Sequence, residues 1–285
     1  MTNSPANAKQ PIRVRRIRFT YPTGSLRRHY VDGDLVMSHA MAYLSSTFPE
    51  GEDFFVRSVR RFADQLTEPE LRSRVGGFIG QEVTHGREHR ELNERLQQMG
   101  YPTWLGDRTT WLFLSLCERV LSPLSCLGIT AALEHFTAVA AETLLSDERA
   151  QALLGSTEVR SMLLWHAIEE SEHKSVAFDV YRAAGGTERR RIAAMLFTMA
   201  FFVTGVTTHT VASLVQDRAT YNPGTLARSL AALWHSPFLT SSVFARFREY
   251  VKPGFHPDDT DNTALLEYWT AELFGEQGTL VDHLR

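Results

Sequence analysis

Two Glu-x-x-His steps are the residues of this chain best suited to chemistry: Glu82 with His85, and Glu170 with His173. Residues three apart in a helix lie on one face, about one turn apart. A carboxylate and an imidazole placed in this way can bind a metal ion together. His166 precedes Glu170 by four residues and falls within roughly 60° of the same face. The resulting pattern, His-x-x-x-Glu-x-x-His, is more specific for metal binding than a single Glu-x-x-His step.

A site for two metal ions in a helical bundle also needs one glutamate from each of the two other helices. Glu52 precedes an expected turn at Thr67 by about 15 residues, and Glu82 follows that turn by about 15. Glu134 and Glu170 lie about 18 residues on either side of a second expected turn near residue 152. This spacing predicts that each glutamate lies level with its Glu-x-x-His partner on antiparallel helices.

Four carboxylates with two or three imidazoles predict a centre for two Fe ions, with Mn or a mixed Fe–Mn pair as alternatives. Carboxylate oxygens suit the oxidised metals and imidazole suits iron, whereas buried glutamates without a cation would be costly. We expect Glu82 and Glu170 to bridge or chelate the ions as catalytic residues. His89 lies on the face of His85, one turn further on. It is counted with the catalytic residues as a neighbour of the ligands rather than a ligand.

Several other residues near these motifs are expected to have different roles. Three glutamates are expected beside the ligands or on the surface, the last of them facing solvent: Glu50, Glu169 and Glu172. Four histidines are expected to be structural: His135, His209, His235 and His256. Three glycines of the second helix are expected to allow close helix packing, with space for a substrate as the alternative: Gly76, Gly77 and Gly80.

Apolar residues recurring three and four apart predict helices from Asp34 to about Gly185. Helix one is expected over about 35–66 with a break near Pro49, and helix two over about 69–99. Helix three is expected over about 109–145, with a candidate interruption at Pro123, and helix four over about 156–184. Two long helical hairpins indicate an all-α fold, an antiparallel four-helix bundle. The expected organisation is an arm over 1–33, a di-metal bundle over 34–186 and a helical extension over 187–285 packed on the bundle.

Two segments outside the expected bundle have distinctive patterns. The first ten residues are polar, are expected to be disordered and do not resemble a secretory signal. Residues 12–19 alternate apolar residues with arginines, so we expect a solvated basic arm laid over the domain. Residues 192–215 contain no Asp, Glu, Lys or Arg and are long enough to span a bilayer. A buried or oligomer-interface helix is the favoured interpretation, and a membrane-embedded or interfacial helix is the alternative.

Composition excludes several other classes of protein. The chain has 285 residues and a formal net charge of -3, so no strong global field favours nucleic acid. Two cysteines, Cys117 and Cys126, are too few for a disulfide framework or a thiolate zinc cluster. Eleven histidines stand out because several of them lie near glutamates. The expected location is the cytoplasm, with membrane association through 192–215 as an alternative.

Five segments carry a resemblance to known families: FPEGEDFFVRSVR, QEVTHGREH, LEHFTA, WHAIEESEHKSVAFDVY and YVKPGFHPDDTDN. The sequence resembles the ferritin-like di-iron carboxylate superfamily and, more closely, the bacterial family named "predicted metal-dependent hydrolases". His166 is similar to the additional ligand of the di-iron arylamine N-oxygenases, whose site has three histidines and four carboxylates. The resemblance implies a ferritin-like bundle and seven metal ligands: Glu52, Glu82, His85, Glu134, His166, Glu170 and His173.

The leading hypothesis is an oxygen-activating di-iron enzyme, an oxygenase or oxidase that acts on a small organic substrate. An apolar or aromatic substrate, dioxygen and an external electron donor are the expected partners, and a homodimer is a further candidate. The first alternative is a metal-dependent hydrolase in which two metal ions activate water. The second alternative is a non-catalytic, metal-binding ferritin-like protein.

Overall fold

The computed structural model describes residues 12–285, which form an all-α helical bundle. Within this range the only strand-like pairing is one antiparallel bridge, between Ile17 and Leu284. The eleven helices are α1 (Leu35–Ala63), α2 (Pro69–Gln98), α3 (Thr103–Val120), α4 (Pro123–Ser146), α5 (Glu148–Ala152), α6 (Glu158–His173), α7 (Val176–Ala183), α8 (Glu188–Val215), α9 (Pro223–Trp234), α10 (Ser241–Tyr250) and α11 (Thr263–Phe274). The prediction for residues 1–10 lies outside the described residues.

Four helical segments surround the candidate site: α1, α2, α4 and the pair α6–α7. Helices α1 and α2 form a hairpin joined by a short loop, and α4 packs on α6 and α7. Helices α8, α10 and α11 pack on the outside of this bundle. One buried apolar cluster contains residues of the arm, the bundle and the C-terminal helices, including Phe19, Trp165 and Trp269. The division of the chain into arm, bundle and extension therefore stays a prediction.

Proline positions explain how the observed helices differ from those expected. Helix α3 begins at Thr103, earlier than predicted, and the chain breaks before Pro123, where Ser122 caps α4. Proline has no N–H to donate and its fixed φ suits the first helical turn, so this break is favoured.

The predicted fourth helix is two helices, α6 and α7, separated at Lys174 and Ser175. Lys174 Nζ donates to Glu142 Oε1 over 3.0 Å, and Ser175 Oγ accepts from Arg74 over 2.8 Å.

The predicted break at Pro49 is wrong, because Pro49 lies inside the unbroken helix α1. A proline inside a helix leaves the carbonyl four residues earlier without its usual N–H donor. Here that carbonyl belongs to Ser45, and the side-chain amide of Asn93 on α2 donates to it over 3.0 Å. Ser45 Oγ in turn donates to Asn93 Oδ1 over 2.7 Å. A tertiary hydrogen bond thus replaces the missing helical one.

Replacing Asn93 by alanine is expected to lower the free energy of unfolding by about 1–3 kcal/mol, since the Ser45 carbonyl would lose its donor. Chemical denaturation of the purified variant measures this change. Glu94→Ala, at the exposed neighbouring position, serves as the control and should leave the denaturation midpoint unchanged. Equal midpoints for the two variants would contradict the role assigned to Asn93.

Candidate metal centre

The structure brings the seven predicted ligands together in the middle of the bundle. Glu52 comes from α1, Glu82 and His85 from α2, Glu134 from α4, and the remaining three from α6. All seven side chains are buried. Two groups have one potential ligand atom per residue within 4.8 Å of each other. The first ligand group is Glu52, His85 and His166, and the second ligand group is Glu82, Glu170 and His173.

Glu170, a member of the second ligand group, also approaches the first. Its Oε1 is 2.9 Å from His166 Nε2, 3.4 Å from His85 Nδ1 and 3.6 Å from His173 Nε2. Glu134 approaches the second ligand group, with Oε2 3.3 Å from His173 Nε2. One carboxylate therefore faces a ring nitrogen of all three histidines, which is the position expected of a residue shared by two metal ions.

Helix α2 accommodates the glutamate of α1 because residue 86 is a glycine. A Cβ atom at Gly86 would lie 3.1 Å from Glu52 Oε2 and 3.9 Å from Pro49 Cα. The carboxylate of Glu52 can therefore approach the helix closely, beside His85. Glu50 is only half-buried, so of the two glutamates it is Glu52 that lies in the first ligand group.

Several potential metal-ligand atoms of the centre are buried without a hydrogen-bond partner among the described residues. These atoms are both carboxylate oxygens of Glu52, Glu82 and Glu134, Glu170 Oε2, His85 Nδ1 and His173 Nε2. A buried polar atom without a partner is costly, and a buried charge without a counter-charge is more so. Carboxylate oxygens and imidazole nitrogens are ligands for first-row metal ions. The donor set thus fits a pair of cations, which would satisfy these atoms.

The electrostatics of the centre show the same need for positive charge. Burial, followed by repulsion from Glu82, raises the pKa of Glu52 well above its ordinary value. Burial and the neighbouring Glu134 raise the pKa of Glu82 in the same direction. Burial raises the pKa of Glu134 to about 7, although the neighbouring His173 opposes the rise. A cation between these carboxylates would favour their ionised forms.

Each candidate histidine ligand has its second ring nitrogen occupied by a partner outside the ligand groups. His85 Nε2 lies 3.0 Å from Glu169 Oε2, and His173 Nδ1 lies 2.9 Å from Gln81 Oε1. Both partners are acceptors, so each histidine donates from that nitrogen and turns its other ring nitrogen toward the centre. Such partners fix the tautomer and ring orientation of a metal-binding histidine.

His89 holds His166 in the same way, through a chain of hydrogen bonds. Ser45 Oγ already donates to Asn93, so it accepts from His89 Nδ1 at 2.9 Å. His89 Nε2 is then the acceptor for His166 Nδ1, at 2.9 Å. Burial lowers the pKa of His89 well below its ordinary value, which fits a neutral ring. His89, predicted as a catalytic neighbour of the ligands, contacts His166 and orients its Nε2 toward the centre.

Aromatic rings enclose the centre. Phe48 stacks on His89 with ring centroids 4.2 Å apart, and Phe78 meets His173 edge-on at 4.9 Å. Trp165 meets His85 edge-on at 5.0 Å. These rings limit the access of water to the histidines, and a water-poor site strengthens electrostatic interactions within it.

Sequence reasoning missed Gln81, which directly precedes Glu82 and contacts His173, and it misjudged Glu172. Glu169, expected beside the ligands or on the surface, is fully buried and lies beside His85. Burial would raise its pKa, but contacts with His85 and Arg15 hold the pKa below the ordinary value. Glu172 does not face solvent freely as predicted, because it pairs with Arg15 at 2.6 Å.

The expected solvated basic arm is also wrong in part. Arg15, Ile17 and Phe19 are buried, so these three alternate positions face inward, whereas Val14 is 40% exposed. Gly77 and Gly80 of α2 make room for this arm rather than for another helix, whereas a Cβ atom at Gly76 would meet nothing within 4 Å. A Cβ atom at Gly77 would lie 2.7 Å from the backbone oxygen of Ile12.

Two further clusters contain histidines that tertiary structure pairs with carboxylates. His29 and His39 lie 3.1 and 3.2 Å from Asp217 Oδ2, which Arg28 also contacts at 3.0 Å. His256, expected to be structural, lies 2.8 Å from Asp179 Oδ1. His135, expected to be structural, is buried and contacts the backbone oxygen of Arg246 at 3.1 Å. The Arg28 guanidinium already supplies the positive charge that Asp217 would otherwise require.

Comparison with known proteins adds one family. No curated protein and no solved structure matches the chain. A family model described as "Predicted metal-dependent hydrolase" matches residues 13–261. The match spans the arm, all the candidate ligands and most of the C-terminal helices, and it accords with the resemblance seen in the sequence. The chain belongs to this family of predicted metal-dependent hydrolases.

Proposed function

We propose that this protein is a dinuclear metalloenzyme whose ions lie between α1, α2, α4 and α6. The observation that carries the proposal is the pair of ligand groups around Glu170, with buried ligand atoms that have no hydrogen-bond partner among residues 12–285. Glu52, His85 and His166 would hold one ion. Glu82, Glu134 and His173 would hold the other, and Glu170 would be shared. Oxygen and nitrogen donors without sulfur support two Fe ions, with Mn or a mixed pair as the alternative.

Hydrolysis of a small-molecule substrate is the reaction that the family description supports best. Two bound metal ions would polarise a carbonyl or phosphoryl oxygen and make water a better nucleophile at neutral pH. The histidine ligands would be oriented by Glu169, Gln81 and His89. Bulk water would be excluded by the rings of Phe48, Phe78 and Trp165. This reaction needs neither dioxygen nor a reductant.

Dioxygen activation, the leading hypothesis from the sequence, is the second candidate. The observation that favours it is the donor set, because four carboxylates beside three histidines exceed what hydrolytic zinc sites usually use. An apolar or aromatic substrate and an external electron donor would then be required. The resemblance to ferritin-like di-iron proteins and to the arylamine N-oxygenases belongs to this second proposal.

Metal analysis of the purified protein, followed by two activity assays, tests these proposals. We expect about two Fe or Mn ions per chain, as in other dinuclear helical bundles. Turnover of ester or phosphoester substrates without oxygen would support the hydrolase, and reductant-dependent oxygen consumption would support the oxygenase. Protein that binds no Fe or Mn and still turns over substrate would overturn the dinuclear proposal. Metal-loaded protein inactive in both assays would favour the non-catalytic alternative.

The hypothesis of membrane association concerns helix α8. Within the described residues, α4 and α8 have the length and composition needed to cross a membrane. The most apolar stretch of α4 is 72% buried in the protein, whereas that of α8 is 22% buried. The interpretation of 192–215 as a helix buried within this chain is therefore wrong. The exposed side of α8 could contact a second copy of the chain or a lipid surface.

We propose that α3 and α8 together place an apolar face on an anionic lipid surface. The helices are neighbours: Phe113 stacks on Phe201 with centroids 3.4 Å apart, and Thr109 lies 3.2 Å from His209. Large apolar side chains exposed on the two helices make up this apolar face: Trp104, Trp111, Leu112, Leu116, Val120, Leu196, Phe197, Val203, Val211 and Val215. Contiguous patches of this kind mark interaction sites.

Charge around the apolar face favours lipid over a second copy of the chain. Exposed arginines lie on or beside α3 and α8: Arg108, Arg119, Arg189, Arg190 and Arg218. The acidic residues Glu118 and Glu188 already pair with arginines of the chain, among them Arg57 and Arg182. A second copy would bring two positive rims together, whereas anionic headgroups would neutralise them.

Replacing Leu196 and Val203 by aspartate is expected to abolish co-sedimentation with phosphatidylcholine–phosphatidylglycerol vesicles. Charged groups cannot enter the lipid interface at low cost, and binding of the unaltered protein should weaken with added salt. Tyr268→Asp, at an exposed site on α11, is the control and should retain binding. A protein that forms dimers and ignores vesicles would contradict the lipid proposal in favour of a homodimer.

A further inference from the structure

The N-terminal arm lies along α2 on the outer side of the candidate metal centre. Ile12 and Val14 fit against Gly77 and Gly80, where a Cβ atom would lie within 2.6 Å of their side chains. Gln81 Nε2 donates to the backbone oxygen of Arg13 over 3.1 Å. The arm is therefore fixed against the helix that carries two of the candidate ligands.

Arg15 is the buried cation of this arm. Its guanidinium donates to Glu169 Oε1 over 3.1 Å. It also makes a two-point contact with Glu172, at 2.9 Å to Oε2 and 2.6 Å to Oε1. The ring of Phe274 covers it, with Cζ 4.9 Å from the centroid. Two-point contacts between arginine and carboxylate fix geometry as well as charge.

Two hydrogen-bond chains begin at Arg15 and end at candidate ligands. In the first, Glu169 accepts from Arg15 and lies 3.0 Å from His85 Nε2. In the second, Glu172 accepts from Arg15 and from Gln81 Nε2, at 2.8 Å, and Gln81 Oε1 lies 2.9 Å from His173 Nδ1. His85 is in the first ligand group and His173 is in the second. One arm residue thus connects to both halves of the centre.

We propose that Arg15 is a positioning residue that fixes His85 and His173, one histidine for each metal ion. This inference rests on the dinuclear centre proposed above. Without Arg15, the buried Glu169 would lose its counter-charge and the hydrogen bond that holds it in place. His85 would then lose the fixed acceptor that sets the orientation of its ring. Gln81 would lose the fixed position of Glu172, and His173 would lose orientation with it.

The experiment compares Arg15→Gln, Arg15→Lys and the control Arg16→Gln. Arg16 is exposed. Its backbone oxygen accepts from the backbone N–H of Arg285, a contact that a change of side chain leaves in place. We would measure the dissociation constants for Mn²⁺ and for Fe²⁺ without oxygen by competition with a chelator. Loss of such outer partners weakens metal binding by roughly 10–100-fold, and we expect this loss for Arg15→Gln. Arg15→Lys should restore part of it, and Arg16→Gln should match the unaltered protein.

A second readout uses the metal-free protein, so that it does not depend on metal binding. Nitrogen-15 spectra of labelled histidines report the hydrogen bonds that the ring N–H groups make. We expect well-defined hydrogen bonds from His85 Nε2 and His173 Nδ1 in the unaltered protein and weakened hydrogen bonds from both in Arg15→Gln. Glu169→Gln should disturb His85 and leave His173 unchanged, a split that general unfolding would not produce.

The two levels of the argument can fail separately. If the unaltered protein binds neither Mn²⁺ nor Fe²⁺, the dinuclear function fails, and the histidine spectra still test Arg15. If the unaltered protein binds metal and a folded Arg15→Gln variant has the same dissociation constants and the same histidine hydrogen bonds, the role of Arg15 is overturned. Circular dichroism verifies that each variant is folded. Should Arg15→Gln not fold, Arg15→Lys and Glu169→Gln carry the same comparison.

Discussion

Replacing Glu170 by alanine should abolish tight binding of both metal ions, because its carboxylate approaches histidines of both ligand groups. Its Oε1 lies within 3.6 Å of a ring nitrogen of each candidate histidine ligand. Loss of an outer partner of a metal ligand costs about 10–100-fold in affinity, and loss of a shared ligand should cost more. Metal content after dialysis and chelator competition would measure the loss.

Glu91→Ala is a suitable control for this variant, since Glu91 lies exposed on α2. It should keep the metal content and the activity of the unaltered protein. Circular dichroism should show that Glu170→Ala is still helical, because the seven candidate ligands are only a small part of the buried core. Two tightly bound ions in folded Glu170→Ala would show that Glu170 is not the shared ligand.

Removing the metal ions should destabilise the protein strongly, and a variant of Glu82 should be much less sensitive to this removal. Metal that binds only the folded chain stabilises it by about 4 kcal/mol when free metal is 1,000 times the dissociation constant. At about 2–4 °C per kcal/mol, chelation should lower the melting temperature by roughly 10 °C. The metal-free protein keeps buried carboxylates whose oxygens have no hydrogen-bond partner among the described residues.

Glu82→Met removes one of these carboxylates and keeps a side chain of similar length. In the metal-free state we expect the variant to be more stable than the unaltered protein by about 1–3 kcal/mol, the cost of an unsatisfied buried group. Added metal should raise its melting temperature much less. Thermal melts with and without chelator measure both effects, with Glu91→Met as the exposed control. A metal-free Glu82→Met that melts below the unaltered metal-free protein would contradict the account.

Local patterns in the sequence were sufficient for much of the helical framework. The Gly100 that follows α2, with φ 91°, and the proline at the start of α4 mark helix ends that the residues themselves favour. Pro49 shows the limit of such signals. The sequence predicts a break there, but Asn93, more than 40 residues away, supplies the missing hydrogen bond. No pattern within α1 indicates a donor on another helix.

The candidate site divides in the same way. Helical spacing was enough to select His166, Glu170 and His173 as one face, since three- and four-residue steps repeat the helical turn. Spacing alone did not distinguish Glu52 from Glu50, which lies two positions away. Burial of Glu52 and the close approach that Gly86 allows distinguish the two in space. The role of these residues as metal ligands stays a prediction.

By itself, the sequence determined that the chain is helical and which carboxylates and histidines could meet. Both depend on the spacing of residues along each helix. Only the tertiary structure decided which groups hold those histidines. Glu169 and Arg15 are separated by 154 positions, yet they contact each other, and Arg15 faces inward from an arm that reads as solvated. Contacts between distant segments are set by packing and by the pairing of buried charges, and these have no period in the sequence.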